Sequence, residues 1–487
     1  MYIMQKAPVR WGLTYRWCMK VNKKVIVGLV VGLGTLLAVA GITLGLSYDA
    51  RLMAKDAWQY ISGGPQALAP SEARYIRQMV GKEAEVDRTI VWQSDMAQED
   101  AFVEYRLVSD DSEGHPVSSG NQESAKQETL SDKQESSNEQ APSLNEVVKV
   151  SASNQEFTDD GKTTYIHEAL LEQLLPDSSY QYRVGYGDKV SDWHDLKTGD
   201  GHSSYTALIF PDSQSVDYST WGNVVRDAYA RNPNAAFFTV MGDLVDNGED
   251  SSQWRAWMNE TSPVMDKIPA GTVIGNHETY TINWTMRDPV AYTSYFEYPQ
   301  NGTDRFKDRY YSFDYGDVHY VSLDTTFPEM EGIHDDLNQV VADWLEKDLA
   351  QNTKKWTVVM MHRDILRYPI DARGRTAGVE DFAYTFVPIF EKYKVDIVFT
   401  GHLHTYRNRG HLLDYQPNPA GPLYILFGIA GDTTVKNFWN DHPLDRVKAP
   451  NGQDTENYIT LDVSEQELVM KAFLPDGTQF DEEHVVK

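Results

Sequence analysis

Five short polar segments, each placed directly after an apolar run, contain the residues whose types could do chemistry. The apolar runs are YTALIF, AAFFTVM, AGTVI, WTVVMM and VDIVFT, and their short, β-rich character predicts strands. The polar residues that follow them include Asp212, Asp243, Asn276, His362, His402 and His404. Because the carboxyl ends of the strands in an α/β sheet share one edge, where ligand sites gather, we expect these side chains to meet there.

This set of carboxylate, amide and imidazole groups has the make-up of a site for two metal ions. Mixed oxygen and nitrogen donors suit iron, manganese or zinc, whereas calcium and magnesium prefer oxygen ligands alone. A carboxylate can bridge two cations, and two ions about 3.5–4 Å apart can activate water and stabilise a leaving oxygen in phosphoryl transfer. Any one segment could equally be a turn with a solvated polar residue, so the prediction depends on all five occurring in order.

In this combination the sequence resembles the calcineurin-like metallophosphoesterases, whose motifs are D-x-H, G-D-x-x-D, G-N-H-[ED], a later H and G-H-x-H. A preceding β-sandwich narrows the resemblance to the purple acid phosphatases, and the likeness extends from about Ala73 to the C-terminus. The resemblance implies that Asp243 bridges two metals, that Asp212 and His404 hold the first, and that Asn276, His362 and His402 hold the second. It also implies that His277 faces the substrate, either stabilising the phosphoryl group or protonating the leaving oxygen, with Glu278 as a candidate to orient it.

Two positions depart from the family pattern. Gln214 stands where many members have a histidine for the first metal, and Asp246 stands where purple acid phosphatases have the tyrosinate that colours them. Gln214 could ligate through its amide oxygen, leave the position to water, or hydrogen-bond within its loop. The sequence therefore predicts a colourless enzyme with a labile first metal site.

Arginines that closely follow the ligand motifs are candidates to bind an anionic substrate. Arg363 and Arg407 are predicted to do so, whereas Arg409 is as readily explained as a surface charge.

The N-terminus has the pattern of a membrane-targeting segment. Residues 25–46 form an uncharged apolar run long enough to span a bilayer, preceded by a basic segment over 1–24 with no acidic residue. This asymmetry predicts a single-pass anchor with the bulk of the chain outside the cytoplasmic membrane. A cleaved signal peptide, and therefore secretion, is the competing interpretation, and translation could start at Met1 or at Met19.

The rest of the chain divides into two predicted domains. Short strands over 66–200 predict an all-β, fibronectin III-like sandwich, interrupted by a polar insertion over 109–145 that we expect to be disordered. The pattern L-x-P-x-S-x-Y ending at Tyr180 resembles the tyrosine corner of such sandwiches, and Trp92 is expected in the core. From 203 to 487, strands alternate with helical patterns, which predicts an α/β catalytic domain of central sheets flanked by helices.

These features together predict a metallophosphoesterase that hydrolyses small-molecule phosphate esters. A phosphodiesterase using the same site and a non-enzymatic cell-surface binding protein are the alternatives. The net charge of -28 argues against nucleic-acid binding, which needs a basic face. Because Cys18 is the one cysteine in the sequence, the chain can form neither an intramolecular disulfide nor a thiolate metal cluster.

Overall fold

The structure is a computed structural model that describes residues 68–69, 71–109, 143–199, 204–434, 439–450 and 455–487. The predicted basic segment 1–24, the predicted membrane segment 25–46 and most of the predicted insertion 109–145 lie outside these residues. Within the described part of the chain, no helix has both the length and the apolar character needed to cross a membrane.

The described residues of the N-terminal β-rich domain form nine strands. They are β1 (Arg74–Val80), β2 (Arg88–Ser94), β3 (Ala101–Val108), β4 (Val148–Ser151), β5 (Gln155–Asp159), β6 (Lys162–Leu171), β7 (Ser179–Tyr186), β8 (Lys189–Val190) and β9 (His194–Lys197). Strands β1, β2, β6 and β5 are neighbours in one sheet, and β4, β3, β7, β8 and β9 form the other. Alternate side chains along β7 are buried, as expected for strands with one face on a core.

The core of this domain confirms two predictions made from the sequence. Trp92 is fully buried and packs with Tyr180 and Tyr182 in one apolar cluster. The Tyr180 hydroxyl accepts a hydrogen bond from the backbone N–H of Leu175 at 2.9 Å, which is the contact that defines a tyrosine corner. The β-rich N-terminal domain is therefore of the predicted kind.

The remaining elements alternate between strands and helices, which confirms the predicted α/β character. The strands are β10 (Tyr205–Phe210), β11 (Phe237–Val240), β12 (Ala270–Thr272), β13 (Tyr311–Tyr315), β14 (Val318–Leu323), β15 (Trp356–Met361), β16 (Leu366–Arg367), β17 (Gly378–Val379), β18 (Ile397–Thr400), β19 (Arg407–Leu413), β20 (Gln416–Pro417), β21 (Leu423–Leu426), β22 (Val447–Lys448), β23 (Tyr458–Val463), β24 (Glu467–Phe473) and β25 (Gln479–Val486). The helices are α1 (Ser219–Arg231), α2 (Ser251–Met265), α3 (Val290–Tyr295), α4 (Phe327–Met330), α5 (Leu337–Gln351) and α6 (Ala383–Lys392).

The helices form where apolar residues recur at helical spacing. In α5 the buried side chains include Leu337, Val341, Leu345 and Leu349, which lie four residues apart on one face. Asp250 immediately precedes helix α2, and its carboxylate accepts a hydrogen bond from the backbone N–H of Ser252 at 2.8 Å and so caps the first turn.

The five strands predicted to carry the site belong to two sheets rather than to one. Strands β10, β11 and β12 are parallel neighbours in a ten-stranded sheet, whereas β15 and β18 are parallel neighbours in an eight-stranded sheet. The expectation of a single sheet edge is therefore wrong in this detail. The site is assembled from the carboxyl ends of strands in both sheets.

The ten-stranded sheet also crosses the boundary between the two domains. Its order is β25-β24-β23-β10-β11-β12-β1-β2-β6-β5, and β1 pairs in parallel with β12 through Met79 and Ala270. This pairing covers the edges that β1 and β12 would otherwise leave open. The sandwich is thus joined to the catalytic sheet by backbone hydrogen bonds.

Candidate metal centre

Two overlapping groups of carboxylate and imidazole side chains lie beyond the carboxyl ends of the parallel strands. One group is Asp212, Asp243 and His404, and the other is Asp243, His362 and His402; within each group the possible ligand atoms lie within 4.8 Å of one another. Asp243 belongs to both groups, so its carboxylate is the one that the two groups share. The structure thus brings together all five of the carboxylate and imidazole residues predicted as ligands.

Asn276 joins the group that contains His362. Its side-chain Oδ1 lies 3.0 Å from Nε2 of His362, while its Nδ2 donates to the Tyr280 hydroxyl at 3.2 Å. The amide is therefore fixed with its oxygen toward the imidazole cluster, as a metal ligand requires.

The loops that carry the ligands need glycine at two points of close approach. A Cβ atom on Gly275 would overlap the backbone and carboxylate of Asp243, and one on Gly401 would overlap the carboxylate of Asp212. No other residue type leaves room for these contacts. The glycines of the GNH and GHLH segments therefore allow carboxylates from neighbouring loops to pack directly against the backbone.

Several candidate ligands lie in an uncommon backbone conformation. The φ angles of Asp243, His402 and His404 are 46°, 75° and 48°, in the left-handed region that side chains other than glycine seldom adopt. Such conformations cost free energy and cluster at functional sites, where the surrounding structure holds them.

The His362 ring is oriented by a backbone carbonyl. Its Nδ1 lies 2.8 Å from the carbonyl oxygen of Met241, which can only accept, so Nδ1 carries the hydrogen. Nε2 therefore faces the ligand group, 3.0 Å from Oδ1 of Asn276 and 3.1 Å from Oδ2 of Asp243. A ligating histidine whose second nitrogen donates to a carbonyl is a common arrangement in metal sites.

The charged groups of the centre shift one another's pKa values. Burial alone would raise the pKa of Asp243, but the neighbouring His362 and His277 outweigh it and lower that pKa. Burial lowers the pKa of His362, and Asp243 and Asp212 reverse this and raise it to about 9. Burial and the positive charge of Arg363 lower the pKa of His402, which keeps its imidazole in the neutral form that binds metals.

His277 stands at the rim of the centre. Its Nδ1 donates to the backbone carbonyl of Asp246 at 2.7 Å, and its Nε2 lies 3.9 Å from Oδ2 of Asp243. Burial lowers the pKa of His277, but Asp243 and Asp246 outweigh it and raise the pKa. Its side chain is 20% exposed, so the His277 ring is accessible from outside the centre.

Glu278 does not orient His277, contrary to the expectation from the sequence. Its two carboxylate oxygens accept hydrogen bonds from the backbone N–H groups of Gly275, Asp243, Leu244 and Val245 at 2.7, 3.0, 2.8 and 3.4 Å. Glu278 therefore ties the GNH loop to the loop that carries Asp243. The Asp246 carbonyl, rather than its carboxylate or Glu278, fixes the His277 ring.

Unsatisfied polar atoms test whether the residues present fit metal ions. The amide Oε1 of Gln214 and Nδ1 of His404 are buried and have no hydrogen-bond partner among the described residues. Buried polar atoms normally have partners, and a bound ion or water can supply the partner that the protein does not. These orphan atoms and the carboxylate–imidazole donor set fit divalent metals, and Gln214 has an oxygen available as a ligand.

The three arginines near the ligand motifs have different surroundings. The Arg363 guanidinium lies 3.0 Å from Nε2 of His402 and pairs with Glu329, so it borders the centre. Arg407 is fully buried and pairs with Asp445 at 3.2 Å, and Arg409 is buried against Asp364. The prediction that Arg407 binds substrate is therefore wrong, because its guanidinium is buried in an ion pair with Asp445. Arg409 is also buried and is not a surface charge.

A cavity of about 250 Å³ opens beside Arg363 and His402. Its walls include Arg367, Leu403 and Trp439. The cavity offers both positive charge and apolar surface next to the candidate ligands.

Two aromatic residues outside the predicted site also border the centre. The rings of Tyr280 and Trp284 lie 5.2 and 6.1 Å from the His277 ring, measured between centroids. The signal was present in the sequence, since both residues follow within seven positions of His277 in a segment otherwise rich in polar residues.

Comparisons with known proteins agree with this geometry. Residues 76–198 match the purple acid phosphatase N-terminal domain, and residues 190–406 match the calcineurin-like phosphoesterase family. Purple acid phosphatase 23 of Arabidopsis thaliana is 29% identical over 57% of this chain and 66% of its own length. Acid phosphatase type 7 of Homo sapiens is 28% identical over 56% of this chain and 67% of its own length. The chain thus spans about two thirds or less of the length of the curated relatives that it matches.

The fold is shared with a solved phosphatase. The purple acid phosphatase PPD1 of yellow lupin (Lupinus luteus) superimposes with a TM-score of 0.62 over 86% of this chain and 75% of its own, at 19% identity. The chain therefore combines a purple acid phosphatase N-terminal domain with a calcineurin-like phosphoesterase domain, and its homologues are purple acid phosphatases.

Proposed function

We propose that this protein is a hydrolase that uses two metal ions to cleave phosphate esters. The observation that carries the proposal is the pair of ligand groups that share Asp243, with His277 at their rim. Asp212 and His404 would hold the first ion with Asp243, and Gln214 Oε1 is available to complete that site. Asn276, His362 and His402 would hold the second ion. The metal would be iron, manganese or zinc, given the mixed donors.

The residues around the metals would divide the remaining tasks. The metals, when bound, would supply Lewis-acid activation of water and neutralise charge on the phosphoryl group. Arg363, which borders the centre beside His402, adds positive charge in a protein that is otherwise acidic. Glu278 holds the two ligand loops in register, and Met241 fixes the His362 ring through its carbonyl.

His277 would protonate the leaving oxygen. The Asp246 carbonyl holds the hydrogen on Nδ1, so the proton that is given up must sit on Nε2, the atom nearer to Asp243. A positioned general acid of this kind typically contributes 10²- to 10⁴-fold to a rate.

Hydrolysis of phenyl phosphate, whose leaving phenolate needs a proton, by the full chain with manganese, iron or zinc added tests the proposal. We expect His277→Ala to lower kcat by roughly 10²- to 10⁴-fold. His484→Ala is the matched control, because that imidazole is half exposed on β25 and should not affect kcat. Equal activity of His277→Ala and His484→Ala would refute the assigned role, and absence of hydrolysis with every metal would refute the function.

A phosphodiesterase activity is the second candidate, and one observation favours it. The cavity beside Arg363 and His402 is placed to accept a second substituent on phosphorus, which a monoester lacks. Rates on p-nitrophenyl phosphate and on bis(p-nitrophenyl) phosphate decide between the two. A diester rate equal to or above the monoester rate would establish the diesterase.

We also propose that the catalytic part acts outside the cytoplasmic membrane. The support is the apolar run over 25–46 behind a basic segment, which favours an anchor with this orientation. Protease added to intact cells should then digest the catalytic domain. Protection in intact cells, with digestion only after lysis, would refute this placement.

A further inference from the structure

An aromatic surface lies beside His277, on the loop that follows it. We call the rings of Tyr280 and Trp284 the aromatic platform. Their centroids are 5.6 Å apart, and both rings are in edge contact with the His277 ring. The Trp284 residue is 57% exposed, which is unusual for so large an apolar group. The platform therefore extends the surface of the centre outward from His277.

The loop that carries the platform is held by its own hydrogen bonds. The backbone N–H of Trp284 donates to the backbone carbonyl of Thr281 at 2.8 Å, and Asn247 Nδ2 donates to the same carbonyl at 2.7 Å. Tyr280 and Met286 form a β-bridge across the base of the loop. The φ of Trp284 is 59°, a left-handed conformation that persists only where the surroundings impose it. The exposed ring is therefore presented from a defined backbone.

The sandwich domain supports the end of this loop. Arg287 donates two hydrogen bonds to the carboxylate of Asp159 on β5, at 2.8 and 2.6 Å, and one to the carbonyl of Gly248 at 3.1 Å. A bidentate arginine–carboxylate ion pair fixes the orientation of the two side chains as well as the distance between them. An exposed ring that is already in place loses little conformational entropy when a ligand binds.

We propose that the aromatic platform binds the leaving group of the substrate and selects for a flat aromatic one, an aryl or nucleoside group. This inference rests on the proposed function. His277 lies at the partly exposed rim of the centre, with its Nε2 3.9 Å from Oδ2 of Asp243, so a leaving group that points out of the centre on this side would lie against His277. Tyr280 and Trp284 are in contact with His277, and their rings favour stacking with a flat π system over contact with a short alkyl chain.

The charges around the platform oppose a second anionic group at this position. Glu249 accepts a hydrogen bond from the backbone N–H of Ile282 at 2.7 Å, and the side chain of Asp246 is 34% exposed next to His277. Both carboxylates would repel a further phosphate on the leaving group. The preferred leaving group is therefore aromatic and uncharged.

The test compares phenyl phosphate with glycerol 2-phosphate as substrates of the full chain. The ratio of their kcat/KM values should fall about fivefold to thirtyfold in Trp284→Ala, in line with ~1–2 kcal/mol for loss of one stacking ring. Trp284→Phe should keep most of the ratio. Tyr384→Ala is the matched control, since that ring is 61% exposed on α6 and contacts Tyr415.

Binding gives a second readout that does not depend on turnover. Calorimetry should show that Trp284→Ala weakens the binding of phenylphosphonate by about the same factor as the kcat/KM ratio falls. The binding of methylphosphonate should not change. The proposal would be overturned if Trp284→Ala left the ratio of the two kcat/KM values unchanged. It would also be overturned if the variant lost equal affinity for both phosphonates. If wild type hydrolyses neither ester, the proposed function fails instead, and the two failures are thereby distinguished.

Discussion

Substitution of Glu278 tests whether its carboxylate holds together the loops that carry Asp243 and Asn276. It is fully buried, and each of its oxygens serves two backbone donors: Oε2 accepts from Asp243 and Gly275, and Oε1 accepts from Leu244 and Val245. In Glu278→Gln one oxygen becomes an NH₂ group, so two backbone N–H groups face a donor instead of an acceptor. The substitution changes almost no volume, and any loss therefore reports on hydrogen bonding.

The expected loss can be estimated from these contacts. Each buried donor that loses its acceptor costs roughly 1–3 kcal/mol, so two of them lower the free energy of unfolding by about 2–6 kcal/mol. This is a large part of the roughly 5–15 kcal/mol that a typical domain has. We expect the variant to fold with greatly reduced stability.

Chemical denaturation of the full chain measures this loss. Burial and the charge of Asp243 raise the pKa of Glu278 to about 7, opposed by the N–H donor of Gly275, so the measurement belongs at pH 8, where the carboxylate is ionised. Glu249→Gln is the matched control, because that carboxylate accepts one exposed backbone N–H and should change stability by less than about 1 kcal/mol. A loss below about 1 kcal/mol in Glu278→Gln, or a loss of activity without any loss of stability, would refute the account of Glu278 as a tie between loops.

Two further predictions concern stability elsewhere in the fold. Tyr180→Phe removes the tyrosine-corner hydrogen bond to Leu175 and should lower the free energy of unfolding by about 1 kcal/mol in denaturant titrations, and an unchanged midpoint would contradict this. His319 lies between Asp314 and Asp348 at 2.7 and 2.8 Å; burial lowers its pKa, but these carboxylates outweigh it and raise the pKa to about 9. Because the folded-state pKa lies above the ordinary value, protonated His319 stabilises the fold. Its contribution to the free energy of unfolding, up to ~3 kcal/mol, is complete below about pH 6.5 and is lost as the pH rises through about 9. His319→Asn should show a smaller decline in unfolding free energy between pH 6 and pH 9 than wild type, and equal declines would refute the assignment.

The sequence is sufficient to predict which carboxylate and imidazole side chains lie together, because the signal that marks them is local. Asp212, Asp243 and His362 lie one to three residues after the end of a strand formed by an apolar run, and strand topology then brings such positions together. The tyrosine corner at Tyr180 is local in the same sense, because its partner Leu175 is five residues away.

Features that depend on distant contacts could not be predicted in this way. The position of Arg407 after a ligand motif predicts substrate binding, but Arg407 forms a buried ion pair with Asp445, and no local pattern links the two residues. The parallel pairing of β1 with β12, which joins the domains, rests on residues almost two hundred positions apart. The role of Glu278 was missed because its partners are backbone N–H groups, which every residue except proline has.

The metal content of the full chain tests the central claim most directly. If Asp243 bridges two ions, wild type should bind two metal ions per chain by elemental analysis, and Asp243→Asn should lose metal from both sites together with hydrolysis. His484→Ala, which alters an exposed imidazole on β25, should keep both ions. An Asp243→Asn variant that retains two ions per chain, or a wild type that binds none after incubation with manganese, iron or zinc, would contradict the account.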